Sequence, residues 1–335
     1  MTMVTEKEEV RENERKPESK PQPRVFKGSE EFQSNRLHSF VALIVFTGAA
    51  HLTLALFFGS FMIPLSKGVL VLGFLAILVY LPINEKSRFG SKLTRYICKH
   101  ACSYFPMTLH VEDIKAFHPD RSYVFGFEPH SVLPFGVIAL SNGTGFMPLP
   151  KIKILASNSV FRTPFVRHIW TWFGIAAVTK KNFISLLEAG CSCVIVPGGV
   201  HETALLERDS EIIFLKTRKG FVRVAMETGS PLVPVFCFGQ SNVFKWVKPS
   251  GERYLKICKA WKFNPMYFWG VWGTPLPFSR PLDIVVGKPI EIKKNPQPSV
   301  EEIDEAHSQF VEALQDLFER YKAEVGCPDR QLKIL

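Results

Sequence analysis

Two stretches near the N-terminus carry no Asp, Glu, Lys or Arg: residues 37–66 and, after Lys67, residues 68–84. A bilayer-spanning helix needs about 20 apolar residues. The first stretch exceeds that length and the second falls slightly short of it. Ser66-Lys67-Gly68, following Pro64, is the expected turn between them. The pattern predicts a hydrophobic helical hairpin over 37–84, either two full spans or a re-entrant loop. A buried hairpin inside a soluble fold is the other reading. Arg24, Lys27 and Arg36 precede the hairpin, and Lys86, Arg88, Lys92, Arg95 and Lys99 follow it. The positive-inside rule then puts both of its ends in the cytosol.

Beyond residue 103 the pattern changes to short apolar runs alternating with helical periodicity. Strands are expected at 123–127, 151–156, 174–178, 191–197, 232–238 and 283–286. Helices are expected at 163–173, 182–189 and 220–228, the last two ending at Gly190 and Gly229. A long amphipathic helix over 300–325 aligns Ile303, Phe310, Leu314, Leu317, Phe318 and Tyr321 on one face. Alternation of this kind predicts an α/β fold with a mostly parallel sheet flanked by helices. No internal repeat is visible.

Composition sharpens this picture. The 335 residues are 46% hydrophobic and 21% charged, with a net charge of +10. The mean hydropathy is slightly positive at +0.08. So apolar a chain is not disordered throughout, and its scattered charges argue against a multi-span transporter. Basic and greasy together point to a membrane surface. Residues 1–36 hold eight acidic and eight basic residues and three prolines, which predicts a disordered, charge-neutral tail. The apolar segments lie too deep for a cleaved signal peptide, and the tail is too acidic for a transit peptide. The whole basic excess therefore belongs to residues 37–335.

Seven cysteines, an odd number, suggest free thiols in a reducing compartment. Cys98 and Cys102 flank His100, but no second Cys/His pair at zinc spacing follows, so no metal is expected.

Candidate chemistry lies in two loops that leave predicted strands. One is Glu128-Pro129-His130-Ser131 and the other is Gly198-Gly199-Val200-His201-Glu202. Ligands of open parallel sheets bind beyond the strands' carboxyl ends. Neighbouring strands would bring His130 and Glu202 into one cleft, where a carboxylate fixes an imidazole's tautomer for general-base work. There is no G-x-S-x-G elbow and no P-loop. His307, five residues before Glu312, is expected to be solvated, and Asn142-Gly143-Thr144 to be an unmodified acceptor sequence. No acidic residue occurs between Pro129 and Leu187, where Lys151, Lys153, Arg162, Arg167, Lys180 and Lys181 fall. Lys216, Arg218, Lys219 and Arg223 form a second basic group. Such a field suits an anionic ligand such as a phosphorylated carrier, or anionic lipid. Six tryptophans could anchor at an interface. Nucleic acid is not an expected partner.

In order, Tyr104-Phe105-Pro106, Phe125-Gly126-Phe127-Glu128-Pro129-His130-Ser131 and Gly145-Phe146-Met147-Pro148-Leu149-Pro150 carry a resemblance. It continues through His168-Ile169-Trp170-Thr171-Trp172, Val194-Ile195-Val196-Pro197-Gly198-Gly199 with Glu202, Arg218-Lys219-Gly220-Phe221, and Pro231 to Gln240. The chain resembles the plant-type diacylglycerol acyltransferases of the type-2 family over roughly residues 95–335, and its hairpin fits the family layout. The resemblance implies a membrane-associated, acyltransferase-like fold. The implied activity is that of an acyl-CoA-dependent O-acyltransferase making triacylglycerol from diacylglycerol.

The implied location is the cytosolic face of the endoplasmic reticulum membrane, with lipid droplets as a second site. His130 corresponds to the essential histidine of the family's H-P-H-G motif, with Glu128 for the first His and Ser131 for the Gly. The wider superfamily's H-x4-D aspartate falls on Phe135, so Glu202, with Glu128 second, is expected to orient the imidazole. Pro129, Ser131, Gly220 and Phe221 are expected at the substrate. Backbone N–H groups of Gly198 and Gly199 are expected to meet the oxyanion, and Arg162, Arg167, Arg218 and Lys219 the CoA phosphates. Acyl-CoA is a co-substrate, no further cofactor is expected, and a homo-oligomer is an open expectation. Phe74-Leu75-Ala76-Ile77 approximates a lipid-binding F-L-x-L, and Gln331 to Leu335 resembles family ends. Acylation of monoacylglycerol or a long-chain alcohol, or a non-enzymatic lipid-droplet scaffold, are the rival readings.

Overall fold

The computed structural model describes residues 23–249, 251–261, 264 and 266–335. Its strands are β1 (Arg24–Lys27), β2 (Met107–Val111), β3 (Val124–Glu128), β4 (Ile152–Ala156), β5 (Ile175–Ala177) and β6 (Ser192–Ile195). They continue with β7 (Ser210–Ile213), β8 (Leu232–Phe238), β9 (Lys245–Val247), β10 (Tyr267–Trp269), β11 (Leu282–Val286) and β12 (Gln331–Ile334). The helices are α1 (Gly28–Glu31), α2 (Arg36–Gly59), α3 (Leu65–Tyr80), α4 (Arg88–Tyr104) and α5 (Val166–Trp172). Next come α6 (Lys180–Glu188), α7 (Gly199–Thr203), α8 (Gly220–Thr228), α9 (Glu252–Trp261) and α10 (Val300–Tyr321).

Eight strands form the main sheet in the order β1-β2-β11-β8-β3-β6-β4-β5. The β6-β3-β8 centre and the β6-β4-β5 flank are parallel. β11 runs antiparallel to β8 and parallel to β2, and β1 is an antiparallel edge. Strand side chains alternate between two faces. On β3, Phe125 and Phe127 enter one core with Phe105, Phe135 and Phe46, while Val124 enters the other with Phe221, Phe236 and Phe310. All six residues predicted for the inner face of α10 are buried there. A capping box at Ser299 and Glu302 starts that helix. The mostly parallel α/β sheet flanked by helices is the expected fold.

Four expectations change. The predicted tail is folded from Arg24: β1 pairs with β2, and Phe26 and Phe32 stack on Phe146 at 5.2 and 5.6 Å. A few apolar residues suffice there because an open sheet edge supplies the backbone partners. Residues 1–22 of that tail lie outside the described residues. Second, α4 occupies what reads in sequence as a basic flank. Ser87 caps it by accepting from the Gly90 N–H at 3.3 Å, and Ile97, Cys98, Ala101 and Cys102 form its inner face.

Third, the hairpin turns at Ile63-Pro64, and Ser66-Lys67-Gly68 already belongs to α3. Proline favours a helix start. Gly68 is needed because a Cβ there would strike the Ser60 carbonyl. Fourth, His307 is buried (5% exposed) with Nε2 at 3.0 Å from the Leu215 carbonyl.

Residues 36–62 make one helix long and apolar enough to cross a membrane. α3 has 16 residues, about 24 Å of helix against a hydrocarbon core of about 30 Å. α2 is also docked on the α/β body. Ser39, Ala42, Leu43, Phe46, Ala49 and Thr53 are its buried face. Thr53 Oγ1 donates to the Pro164 carbonyl at 2.7 Å, and Trp170 Nε1 to the Phe46 carbonyl at 3.1 Å. Trp172 Nε1 holds the Asn84 carbonyl at 3.1 Å. The opposite face shows Val41, Ile44, Leu52, Phe58 and, on α3, Val69, Leu70 and Ile77 to the surroundings.

Candidate active site

Three parallel neighbours, β6, β3 and β8, end side by side, and each hands the chain to a polar loop. β3 delivers Glu128 and then His130 through a cis Glu128-Pro129 peptide bond. β6 leads to Gly198 and α7, which carries Glu202, and β8 leads to Gln240. His130 is half-buried, while Glu128 and Glu202 are both 0% exposed.

The sequence pairs His130 with Glu202, and the structure brings them together, but through the main chain. Glu202 Oε1 accepts the His130 backbone N–H at 2.5 Å. The same carboxylate takes the Ser131 N–H, and its Oε2 takes the Phe214 N–H at 3.1 Å. The expectation that Glu202 orients the ring is therefore corrected. Ring orientation falls to Ser131, whose carbonyl lies 2.9 Å from Nδ1. A carbonyl only accepts, so Nδ1 carries the hydrogen and Nε2 keeps its lone pair. Burial lowers the His130 pKa, the Ser131 contact working against it. The imidazole is thus neutral near neutral pH and presents a base.

Glu128, the second expected orienter, bonds to Glu202 instead. Two carboxyl groups can share a hydrogen bond only if one is protonated. Burial, and then the neighbouring Glu202, push the Glu128 pKa well up. Its Oε2 is buried and meets no donor among the described residues, as befits the partner that keeps the proton. Glu202 is pushed up to about 7, desolvation outweighing its N–H donors. Gly198 is glycine because a Cβ would overlap Glu202 Oε2. Its own N–H points to Glu128 Oε1 at 3.4 Å, so the expected oxyanion pair reduces to Gly199.

Gln240 completes the frame and is a residue the sequence reading missed. Its Nε2 donates to the Pro129 carbonyl, and its Oε1 accepts the Gly136 N–H at 2.9 Å. The Ser131 hydroxyl reaches the Gln240 carbonyl at 3.4 Å. A polar residue one glycine past the end of a buried strand was the available signal.

The expected phosphate ligands disperse. Arg218 stays at the site: its guanidinium lies 5.0 Å over the Phe214 ring, and its charge opposes the upward shift of Glu128. Arg167 caps the end of α3 through the Leu78 and Leu81 carbonyls at 2.9 and 2.7 Å. Arg162 is exposed at the end of a 3₁₀ turn. Lys219 pairs with Asp304 at 2.6 Å, Lys153 with Glu85 at 2.8 Å and Lys180 with Glu227 at 2.7 Å. Gly220 begins α8, and Phe221 is core, edge-on to Phe310 at 5.1 Å, not a substrate contact.

Residues 59–335 match the family model described as "Diacylglycerol acyltransferase". The chain is 33% identical to diacylglycerol O-acyltransferase 1 of Schizosaccharomyces pombe, over 68% of this chain and 70% of that one. It is 33% identical to diacylglycerol O-acyltransferase 2 of Danio rerio, over 71% of each. It is 32% identical to acyl-CoA wax alcohol acyltransferase 1 of Homo sapiens, over 69% of this chain and 75% of that one. With the apolar helix at 36–62, these similarities describe a membrane-associated acyltransferase. The chain belongs to the diacylglycerol acyltransferase family.

Proposed function

We propose that this protein transfers the acyl group of acyl-CoA to the free hydroxyl of diacylglycerol, forming triacylglycerol. One observation carries the chemistry: His130, at the carboxyl end of the central strand, has Nδ1 on the Ser131 carbonyl and Nε2 free to act as a base. Nε2 takes the hydroxyl proton as the oxygen attacks the thioester carbonyl. The new C–O bond forms, the C–S bond breaks, and the proton passes from the imidazolium to the departing thiolate. The Gly199 N–H is the proposed donor to the transient oxyanion. The thioester already carries the activation that the transfer needs, so no further cofactor enters. Exchanging both greasy substrates alongside the apolar face of α2 and α3 keeps them out of water. The proposed setting is the cytosolic face of the endoplasmic reticulum membrane, continuous with lipid droplets.

The test is expression of wild type and His130→Ala in cells lacking neutral-lipid synthesis, followed by microsomal assays with diacylglycerol, monoacylglycerol and long-chain alcohol. Triacylglycerol from wild type alone is the expected result. Equal turnover in the variant sinks the role of His130. A clear preference for another acceptor moves the substrate.

A further inference from the structure

Of the four cations assigned in sequence to the CoA phosphates, Arg167 and Lys219 have carbonyl or carboxylate partners in the fold. A different group does not. Arg208, Lys245 and Arg280 converge on one cleft of about 620 Å³ walled by Trp246, Trp269 and Phe244. Among the described residues none of the three forms an ion pair. The acidic rim residue Glu207 is already engaged, by Lys333 at 2.6 Å. Three converging cations outnumber the one rim carboxylate and set up a positive potential that an anion would satisfy. Two indoles add flat faces, and the Arg208 guanidinium lies 6.0 Å over that of Trp246. Flat aromatic walls with cations favour a ligand that is itself a π system bearing phosphates.

The location also fits. β11 runs antiparallel to β8 and begins where β8 ends, so Arg280 stands beside the Gln240 turn. Ser241 and Asn242, the next residues after Gln240, line the same cleft. Gln240 grips the Pro129 carbonyl, one residue before His130. Phe244 packs on Phe135, five residues beyond His130, with centroids 6.0 Å apart. The cleft therefore borders the loop that carries the base, and its volume suits a compact ligand.

We infer that the cleft between Arg208, Lys245, Arg280, Trp246 and Trp269 binds the phosphorylated adenosine end of the acyl donor. The inference rests on the reading of acyl-CoA as donor, since that end carries both the purine and the phosphates.

The experiment uses the full chain in nanodiscs, as wild type and Lys245→Glu/Arg280→Glu. The kcat/KM for acyl-CoA is divided by that for the matching acyl-pantetheine thioester, which lacks the nucleotide. The ratio is expected to fall about tenfold or more in the variant, as two charge-assisted contacts turn repulsive. A ratio within about twofold of wild type overturns the cleft while leaving the acyltransferase reading intact. Tryptophan quenching by adenosine 3′,5′-bisphosphate, expected in wild type and lost in the variant, tests the cleft without turnover. Should wild type bind that nucleotide but turn over no thioester, the reaction falls and the cleft stands. Quenching by phosphatidic acid vesicles and not by the nucleotide would make the cleft a headgroup site and overturn the proposal.

Discussion

Glu202 holds His130 by its backbone: Oε1 accepts the His130 N–H at 2.5 Å, and Ser131, not a carboxylate, fixes the ring. A carboxylate acting on the imidazole would tune basicity. This one sets where the loop sits, and with it the position of Nε2 relative to bound substrate.

Glu202→Gln replaces an acceptor-only group with one that presents N–H to N–H. It should lower kcat about a hundredfold, because a small displacement of the base is enough for that. It should also cost about 2–4 kcal/mol of stability through unsatisfied amides. Glu128→Gln keeps a neutral donor beside Glu202 and should retain activity within about tenfold. Microsomal kinetics and thermal unfolding of both variants check this. A Glu202→Gln variant that loses turnover at full stability would return the carboxylate to the ring.

The carboxyl pair also sets a pH dependence. Glu202 at about 7, with Glu128 also held well above the ordinary 4.5, means that the folded chain keeps protons the unfolded chain releases. That stabilisation is complete below about 4.5 and is lost as pH rises through about 7, at about 1.4 kcal/mol per pH unit for each proton. His130, lowered by burial, contributes in the opposite sense: its share grows as pH rises toward 6.5. Comparing wild type with Glu128→Gln cancels the His130 share. The Tm advantage of wild type over this variant should shrink from pH ~5 to pH ~8, and an advantage that grows would show the pair ionised. The acid limb of kcat/KM should lie below 6.5, the ordinary histidine value.

Gln240→Leu keeps the volume but leaves the Pro129 carbonyl and Gly136 N–H without their partner. Loss of about 2–4 kcal/mol is expected from the two buried groups. kcat should fall about tenfold, with little change in acceptor KM, because the loop moves and the acceptor pocket does not. Steady-state kinetics with varied diacylglycerol separates the two. A change confined to KM would place Gln240 against the acceptor.

The last strand supports the site at one remove. β12 pairs with β7, and the Leu335 carbonyl accepts the Leu215 and Lys216 N–H groups at 2.9 and 2.8 Å. Phe214, between them and β7, is a residue that Glu202 grips. Deleting residues 331–335 should reduce activity about tenfold or more and lower Tm. Lys333→Ala, which removes only a half-exposed ion pair, should cost at most about 1 kcal/mol. Assay of both in microsomes decides: full activity after the deletion would uncouple the strand from the site.

The strands at 123–127 and 232–238 were legible because central parallel strands are apolar on both faces, and α10 because its stripe repeats at helical spacing. His130 and Glu202 were legible as polar groups just past strand ends. Which atoms meet was not: sequence carries no sign that Glu202 would take main-chain amides while the ring turned to Ser131. Arg167 and Phe221 misled because a motif records neighbours in sequence. Arg167 spends its guanidinium on the end of α3, and Phe221 points from α8 into the core. The cations at 208, 245 and 280 come from three distant segments: the β8–β11 pairing brings the last two together, and Arg208 arrives from the turn before β7, in a different sheet.

Because Thr53, Phe46 and Asn84 are each bonded to the body, the hairpin is a keel and not a mooring line. Whatever plane its apolar face adopts, His130 stands at one fixed height above it. Substrate is then expected to travel to that level, because the hairpin is packed on the domain along one whole face of α2. Depth of immersion thereby becomes part of the active-site geometry, decided by helix packing tens of residues away from the base.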